Sequence, residues 1–308
     1  MGLGMTRRCA LFALLPPLLL SPSGAAPDRA EQPFRFSIIG DRTGGPEPGV
    51  YSQVWDEVDR LRPAFVINVG DTIEGGDDNR ALAQWNMLRP LFEQYRSYPH
   101  YFTPGNHDVF SETSRRMFEK ESGRPVRYSF DHGGAHFVVL DNSRTEDLSE
   151  EQLRFLDEDL AAHAGRDPTF VFFHKPYWLL PMMLDDKQFR LHQIVTRRRV
   201  DYVISGHLHQ FIRFERDGVN YVVVGSSGGR LRGKLSGLGF RDGWFYHHVE
   251  ANVAEGRASL TVHELGQPFG EGRSFALEQW GEAGPNWPKN AAPPAPGKAV
   301  PAVPAGAQ

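Results

Sequence analysis

Five apolar segments of this chain are each followed closely by residues that can bind a metal ion, and this recurrence limits the fold more than any other feature of the sequence. The segments and the residues that follow them are 34–39 with Asp41, 65–69 with Asp71, 98–103 with Asn106, 169–173 with His174, and 200–204 with His207 and His209. Because neighbouring parallel strands of an α/β sheet end at a common rim, we expect these polar residues to meet there. The pattern therefore predicts an α/β fold with one cluster of ligands.

The rest of the chain supplies the helices and hairpins that such a fold needs. Apolar residues recur at helical spacing in segments 51–61, 78–95, 111–121, 149–163 and 191–198. Hairpins are predicted for 128–131 with 135–140, and for 211–214 with 221–224 around Asp217-Gly218. Segments 244–250 and 259–265 predict further antiparallel strands.

The donor types at the strand ends favour particular metals. Carboxylate, amide and imidazole groups together suit Zn, Mn or Fe better than Ca. His207 and His209 are alternate residues after one strand and could bind neighbouring ions, with Asp71 bridging two ions about 3.5–4 Å apart. Taken singly, Asp41 or Asp71 is more often a turn residue than a ligand. The prediction of a metal centre therefore depends on their joint occurrence.

The stretch Pro104-Gly105-Asn106-His107-Asp108 adds groups that can move a proton. We expect His107 to face a reacting phosphate as a catalytic residue and Asp108 to fix the tautomer of its imidazole. The alternative is a turn whose polar residues cap the helix that follows.

The motifs GDR, GDTIEGG, GNHD, FFH and GHLH occur in this order, and over residues 34–229 the chain resembles the calcineurin-like metallophosphoesterases of the secreted bacterial type. The resemblance implies an α/β fold in the form of a four-layer αββα sandwich, two mixed sheets flanked by helices. It implies a first metal held by Asp41, Asp71 and His209, and a second metal held by Asp71, Asn106, His174 and His207. It also implies hydrolysis of phosphate mono- or diesters by attack of a metal-bridging hydroxide, with His107 protonating the leaving group and Asp108 orienting His107.

One motif departs from the family pattern. The usual first motif is Asp-x-His, whereas this chain has Asp41-Arg42-Thr43. Thr43 could bind the first metal through its hydroxyl, or a water could take the place of the imidazole. Glu74 is a third candidate, because it stands where the purple acid phosphatase branch has a ligand tyrosine. The departure keeps a second function open, a metal- or phosphate-binding module whose catalysis has decayed.

Three cations lie in or near predicted loops. Arg42, Arg144 and Lys175 could contact the phosphate of a small-molecule or protein phosphoester, although isolated cations near loops are usually solvated. The remaining histidines have no motif around them and are interpreted as core or surface residues: His132, His136, His163, His192, His247, His248 and His263.

The ends of the chain indicate export. Arg7-Arg8, an apolar run and small residues near Ala25 predict a signal peptide over residues 1–25. It would be followed by the metallophosphoesterase domain over residues 26–282 and a disordered, Pro/Ala-rich tail over residues 283–308. Cys9, the single cysteine, lies in the signal, so thiolate metal sites are not expected. A net charge of −4 gives no sign of nucleic-acid binding. We expect a periplasmic or secreted protein with no membrane span after signal removal, and the sequence does not indicate an oligomeric state.

Overall fold

The structure, a computed structural model, describes Met1 and residues 32–281. The expected signal peptide, Met1 apart, and the expected tail over residues 283–308 lie outside the described residues. Within the described part of the chain, no helix has both the length and the apolar character that a membrane span requires.

The strands and helices follow one another in the alternating order that the sequence predicts. The strands are β1 (Phe34–Ile39), β2 (Val66–Asn68), β3 (His100–Phe102), β4 (Tyr128–His132), β5 (Ala135–Val139), β6 (Thr169–Phe172), β7 (Tyr202–Ser205), β8 (Ile212–Arg216), β9 (Val219–Val223), β10 (His247–Ala254), β11 (Arg257–Glu264) and β12 (Ser274–Ala276). The helices are α1 (Val50–Leu61), α2 (Asp78–Gln94), α3 (Glu112–Ser122), α4 (Glu150–Ala162), α5 (Leu179–Met183) and α6 (Arg190–Arg197). Short 3₁₀ helices span Arg232–Ser236, Phe240–Asp242 and Leu277–Gln279.

The strands form two mixed sheets of six strands each. The first sheet has the order β12-β11-β10-β1-β2-β3, and the second has the order β4-β5-β6-β7-β9-β8. In the first sheet, β1, β2 and β3 are parallel to one another, while β10 is antiparallel to β1. In the second sheet, β5, β6, β7 and β9 are parallel neighbours. The parallel strands of each sheet therefore direct their following loops to one rim.

Apolar residues on both faces of each sheet create four layers. Along β1, Ile38 packs in the core between the sheets, whereas Ile39 packs against the outer helices, as the twofold periodicity of a strand requires. The core between the sheets is aromatic, with the ring of Phe137 lying 5.2 Å from the rings of both Phe36 and Phe65. Helices α1, α2 and α3 cover the first sheet, and α4, α5 and α6 cover the second. The predicted four-layer αββα architecture is confirmed.

Each helix meets its sheet through residues at helical spacing. In α1, Val50, Val54 and Val58 are fully buried, and their spacing of four places them on one face. The helix ends at Leu61. Pro63 follows two residues later, and a proline disfavours helical geometry in the residue before it, here Arg62. Sequence analysis missed α5 and β12, which are five and three residues long.

Candidate metal centre

The predicted ligands come from the rims of both sheets. Asp41, Asp71 and Asn106 follow β1, β2 and β3, while His174 follows β6 and the pair His207 and His209 follows β7. Asp41 and His174 are completely buried, and Asp71 and His209 are almost so. The centre thus lies where the two sheets meet, and each sheet supplies part of it.

The candidate ligands of the second metal converge closely. One donor atom from each of Asp71, His174 and His207 lies within 4.8 Å of the other two. His174 Nε2 lies 3.2 Å from Asp71 Oδ1 and 3.1 Å from Asn106 Oδ1. All four residues that the resemblance assigns to the second metal are therefore neighbours.

The candidate first site lies next to the second. The backbone N–H of His207 donates to both carboxylate oxygens of Asp41 at 3.0 Å. His174 Nδ1 lies 3.9 Å from Asp41 Oδ1. The ring of His209 lies against Gly44 and Gly229, beside the turn that carries Thr43.

Backbone carbonyls orient the imidazoles. His174 Nδ1 donates to the carbonyl of Val69 at 2.8 Å, and His209 Nδ1 donates to the carbonyl of Arg230 at 2.9 Å. These bonds leave each Nε2 as the atom available to a metal, and such partners of ligand imidazoles typically fix the tautomer and the ring orientation. Sequence reasoning missed both groups because a carbonyl acceptor is present in every residue.

Three candidate ligands occupy a backbone conformation that is uncommon for residues with a side chain. Asp71, His207 and His209 have φ angles of 54°, 72° and 55°, in the left-handed region. Strain of this kind persists only where the surrounding structure holds it, and it clusters at functional sites. Gly105 permits the tight approach of two loops, because a Cβ at that position would lie 2.2 Å from the Asp71 nitrogen.

The buried acids and imidazoles are electrostatically coupled. Burial raises the pKa of Asp41 well above its ordinary value, and repulsion by Asp71 adds to this, although His174 partly offsets both. Burial acts in the same direction on Asp71, but the charges of His174 and His107 outweigh it and lower the pKa of Asp71 to about 2. Burial lowers the pKa of His174, but attraction to Asp71 outweighs it and raises that pKa to about 9. For His207, burial and the nearby His174 lower the pKa to about 4.

These residues fit divalent cations. The two buried carboxylates repel one another unless a positive charge lies beside them. A metal ion could supply that charge, since imidazoles bind metals in their neutral form and binding releases protons. Oxygen and nitrogen donors of this mixture suit Zn, Mn or Fe.

His107 is held differently from the expectation. Its Nδ1 donates to the backbone carbonyl of Glu74 at 2.6 Å, and its Nε2 lies 3.9 Å from Asp71 Oδ2. The expected contact between Asp108 and the imidazole is not formed. Asp108 is fully buried and accepts instead from the N–H groups of Thr72, Ile73 and Gly105, at 2.8 to 3.1 Å. Asp108 therefore positions the two ligand loops, and the Glu74 carbonyl orients His107.

Thr43 and Glu74, the alternative substitutes for the missing imidazole, contact one another. The Thr43 hydroxyl donates to Glu74 Oε1, which also accepts from the N–H groups of Gly44 and Gly45 at 2.9 and 3.0 Å. Burial raises the pKa of Glu74, but these donors outweigh it and lower the pKa below its ordinary value. Glu74 is thus a carboxylate that holds the turn after Thr43.

The three candidate substrate cations are placed unequally. Arg42 donates to the carbonyl of Thr72 at 3.1 Å and lies over the ring of Tyr51. Lys175, next to His174, pairs with Glu146 at 2.9 Å. Arg144 lies 3.9 Å from a carboxylate oxygen of Glu112. Arg42 is therefore the cation of this set that the described structure leaves without a carboxylate partner.

A second group of titratable residues lies on the outer side of the second sheet. His136 is buried, with Nδ1 and Nε2 each 2.7 Å from a carboxylate oxygen, of Asp131 and Asp159 respectively. The ring of His163 stacks on His136 at 4.1 Å, nearly parallel to it. Both ring nitrogens of His136 are engaged by carboxylates, so we interpret this cluster as a partly buried network of charged groups. Among the other motif-free histidines, His192, His247, His248 and His263 are also buried.

Comparisons with known proteins agree with this geometry. The model of the calcineurin-like phosphoesterase family matches residues 34–211. Purple acid phosphatase 23 of Arabidopsis thaliana is 25% identical over 254 residues, which cover 66% of this chain and 54% of that protein. A 3',5'-cyclic-nucleotide phosphodiesterase of Nostoc sp. is 30% identical over 133 residues, which cover 40% of this chain and 48% of that protein. The chain spans about half of the length of these relatives.

Two solved structures share the fold at low sequence identity. The purple acid phosphatase PPD1 from yellow lupin (Lupinus luteus) seeds superposes with a TM-score of 0.55 and 15% identity, over 76% of this chain and 51% of that chain. GAP50, described as the anchor in the inner membrane complex of Plasmodium, superposes with a TM-score of 0.57 and 14% identity, over 80% of this chain and 88% of that chain.

Proposed function

This chain belongs to the calcineurin-like phosphoesterase family, and from that premise we propose that it hydrolyses phosphate monoesters or diesters with the help of two divalent metal ions. The observation that carries the proposal is the convergence of Asp71, His174 and His207 beside the exposed edge of His107. This arrangement combines a place for a metal with a group that can transfer a proton.

Each residue of the centre has a definite task in this proposal. Two metal ions, when bound, supply Lewis-acid activation of water and charge neutralisation of the phosphate. Asp71 would be shared between the ions, with Asn106, His174 and His207 on the second ion and Asp41 and His209 on the first. Hydrogen bonds from the N–H of His107 to Asp71, and from His174 and His209 to backbone carbonyls, would hold these donors in position.

His107 is the group that handles the leaving-group proton. Because its Nδ1 donates to the carbonyl of Glu74, its Nε2 is directed towards the side of Asp71. When that atom carries a proton, it can donate the proton to the oxygen that departs from phosphorus, as a general acid does. The side chain is about one-third exposed, at 32%, which leaves room for a substrate.

One observation favours a second function, a metal- or phosphate-binding module with decayed catalysis. The first site has Thr43 in place of an imidazole, and the hydroxyl of Thr43 is engaged with Glu74. A first metal would then have fewer strong protein ligands than a second. Against decay stands His107, because the oriented general acid is not needed for binding alone.

The deciding experiment measures metal content together with turnover. The purified protein should contain two metal equivalents and hydrolyse p-nitrophenyl phosphate, bis-p-nitrophenyl phosphate or both. The ratio of the two rates would show whether monoesters or diesters are preferred. One metal equivalent or none, without turnover of either ester after addition of Mn, Fe or Zn, would refute the enzyme proposal and support the binding module.

The proposed site of action is outside the cytoplasm. The support is the signal-like sequence of residues 1–25, and the proposed partners are small-molecule or protein phosphoesters. Cell fractionation with an antibody against the protein tests the location, and a purely cytoplasmic pool of full-length chain would contradict it.

A further inference from the structure

A basic cavity lies beside the candidate first metal site, on the segment that follows His209. The carbonyl of Arg230 accepts the hydrogen bond from His209 Nδ1 at 2.9 Å. The guanidinium of Arg230 lies against Gly45, where a Cβ would approach its Nε to 3.2 Å. The preceding residue, Gly44, contacts the ring of His209 in the same way. Two successive residues of one loop, Gly44 and Gly45, therefore contact the candidate ligand imidazole and the guanidinium respectively.

The cavity has a cationic rim and an aromatic wall. Its volume is about 270 Å³, and Arg230, Lys234, Tyr246 and Phe269 are among its lining residues. The Lys234 ammonium lies over the Tyr246 ring at 5.4 Å from its centroid. The rings of Tyr246 and Phe269 meet edge to face, 6.2 Å apart. The cavity could therefore hold an anionic group at its rim and an apolar linker against its wall.

Among the residues that the structure describes, no carboxylate pairs with the two cations of this cavity. Arg230 and Lys234 are exposed, and among the described residues no carboxylate oxygen lies within 4.0 Å of either. Many other arginines of the chain are paired, such as Arg89 with Glu121 and Arg127 with Glu151. Glu47 also lines the cavity but makes no ion pair with these cations. A single exposed cation would be an ordinary solvated group, but two on one cavity beside a metal centre create a local positive potential.

We propose that this cavity is a subsite for a second phosphate group, so that the substrate class is a phosphoester with a further phosphate separated from the first by a short linker. The inference rests on the proposed function for the scissile phosphate. Arg230 can bind phosphate oxygens in a bidentate manner, and Lys234 adds a compact charge. Tyr246 and Phe269 contact the linker.

The test compares binding of two non-hydrolysable probes, propylphosphonate and propane-1,3-diylbisphosphonate, to the purified full-length protein by calorimetry. The parent should bind the bisphosphonate about tenfold more tightly, the effect of one charge-assisted hydrogen bond. In the variant Arg230→Gln/Lys234→Gln, the ratio should fall to about twofold, the statistical advantage of a ligand with two ends. The advantage in the parent should also shrink as salt is added.

Arg257→Gln is the matched control. Arg257 is an exposed arginine at the start of β11, next to the residues that pair with the beginning of β1, and thus lies at the opposite end of the sheet from the metal centre. It should keep the tenfold ratio. Equal ratios in the parent and the double variant, or a parent that does not prefer the bisphosphonate, would overturn the inference.

Turnover separates this inference from the proposed function. Propyl phosphate and propane-1,3-diyl bisphosphate are compared as substrates of the metal-loaded protein, and kcat/KM should favour the bisphosphate by about tenfold in the parent. If neither ester is hydrolysed, the proposed function fails, while the binding ratios still decide whether the subsite exists. If both are hydrolysed with the same efficiency in the parent, the subsite is refuted and the proposed function stands.

Discussion

The hydroxyl of Thr43 donates a hydrogen bond to the carboxylate of Glu74, and this bond ties the turn after β1 to the loop after β2. The same carboxylate oxygen accepts from Gly44 and Gly45, while the Glu74 carbonyl accepts from His107. One residue thus supports the candidate first metal site with its side chain and the candidate general acid with its backbone.

Thr43→Val tests the side-chain half of this arrangement. The substitution keeps the shape but removes the donor, so we expect first-site metal affinity to fall by about 10- to 100-fold, as for other partners of ligand groups. Second-site affinity should change little. Thr43→Ser keeps the hydroxyl and is the matched control. Metal titration of the three proteins measures the effect, and an unchanged first-site affinity in Thr43→Val would show that the bond does not support the site.

Asn106→Ala tests the second site. The substitution removes the Oδ1 that lies 3.1 Å from His174 Nε2, and we expect loss of one metal equivalent and of nearly all hydrolysis with no loss of fold. Metal analysis, turnover and circular dichroism are measured on one preparation. Full metal content with near-parental turnover would show that Asn106 is not a ligand.

His107→Asn tests proton delivery. A general acid matters most for poor leaving groups, so alkyl phosphates should slow by about 10²- to 10⁴-fold and nitrophenyl esters by much less. Both metals should remain bound, because His107 is not among the candidate ligands. Equal losses on the two ester types would instead assign His107 to positioning of the phosphate.

Gly105→Ala tests the close approach of the two loops that carry Asp71 and Asn106. The added methyl would lie 2.3 Å from Asp71 Oδ1, so the shared carboxylate must move, and a displacement of about 1 Å at a catalytic site can lower the rate by about 100-fold. Gly266→Ala is the control, since its nearest contact would be 4.0 Å. Turnover of the two variants is compared, and equal rates would contradict the role assigned to this contact.

His136→Gln tests the buried network outside the centre through its pH dependence. Burial lowers the pKa of His136, but hydrogen bonds to Asp159 and Asp131 outweigh it and raise the pKa above the ordinary value of 6.5. A histidine whose folded-state pKa is raised stabilises the fold fully below its unfolded pKa, and the contribution is lost as pH rises through the folded pKa.

The variant should therefore lower the free energy of unfolding by about 1–3 kcal/mol near pH 5.5, and by less in mildly alkaline solution. Urea unfolding at several pH values measures the difference from the parent. Phe137→Leu, an apolar change at the next residue of β5, should cost the same at every pH. A difference for His136→Gln that grows with pH would contradict the assigned charge state.

Much of the fold could be predicted from local pattern. Each of the five apolar segments that precede candidate ligands contains a strand, and the hairpin around Asp217-Gly218 forms as expected, because alternation and turn chemistry are properties of neighbouring residues. The membership of each sheet could not be predicted in this way. The pairing of β1 with β10 joins residues about 200 positions apart, and the three-residue β12 is too short to carry a pattern of its own.

The candidate site likewise has parts that local sequence predicts and parts that it does not. The convergence of Asp71, Asn106, His174 and His207 could be predicted from strand ends, since those side chains have distinctive chemistry. The groups that orient the imidazoles could not, because Val69, Glu74 and Arg230 act through backbone carbonyls. The expected contact between Asp108 and His107 is not formed, for a related reason. Asp108 is surrounded by backbone N–H groups, and only the path of the chain determines which of them it meets.

The pairing of β1 with β10 extends the support of the candidate metal centre beyond its ligands. Every candidate ligand lies between residues 41 and 209, yet β1, which leads to Asp41, lies between β2 and β10, and β10 begins at His247. The register pairs Ile39 with His248 at the end of β1, two residues before that ligand. A fragment that stops short of β10 would thus carry every candidate ligand and lack one of the two strands that flank β1. The shortest fragment expected to form the candidate centre therefore includes a part of the chain that contributes no ligand.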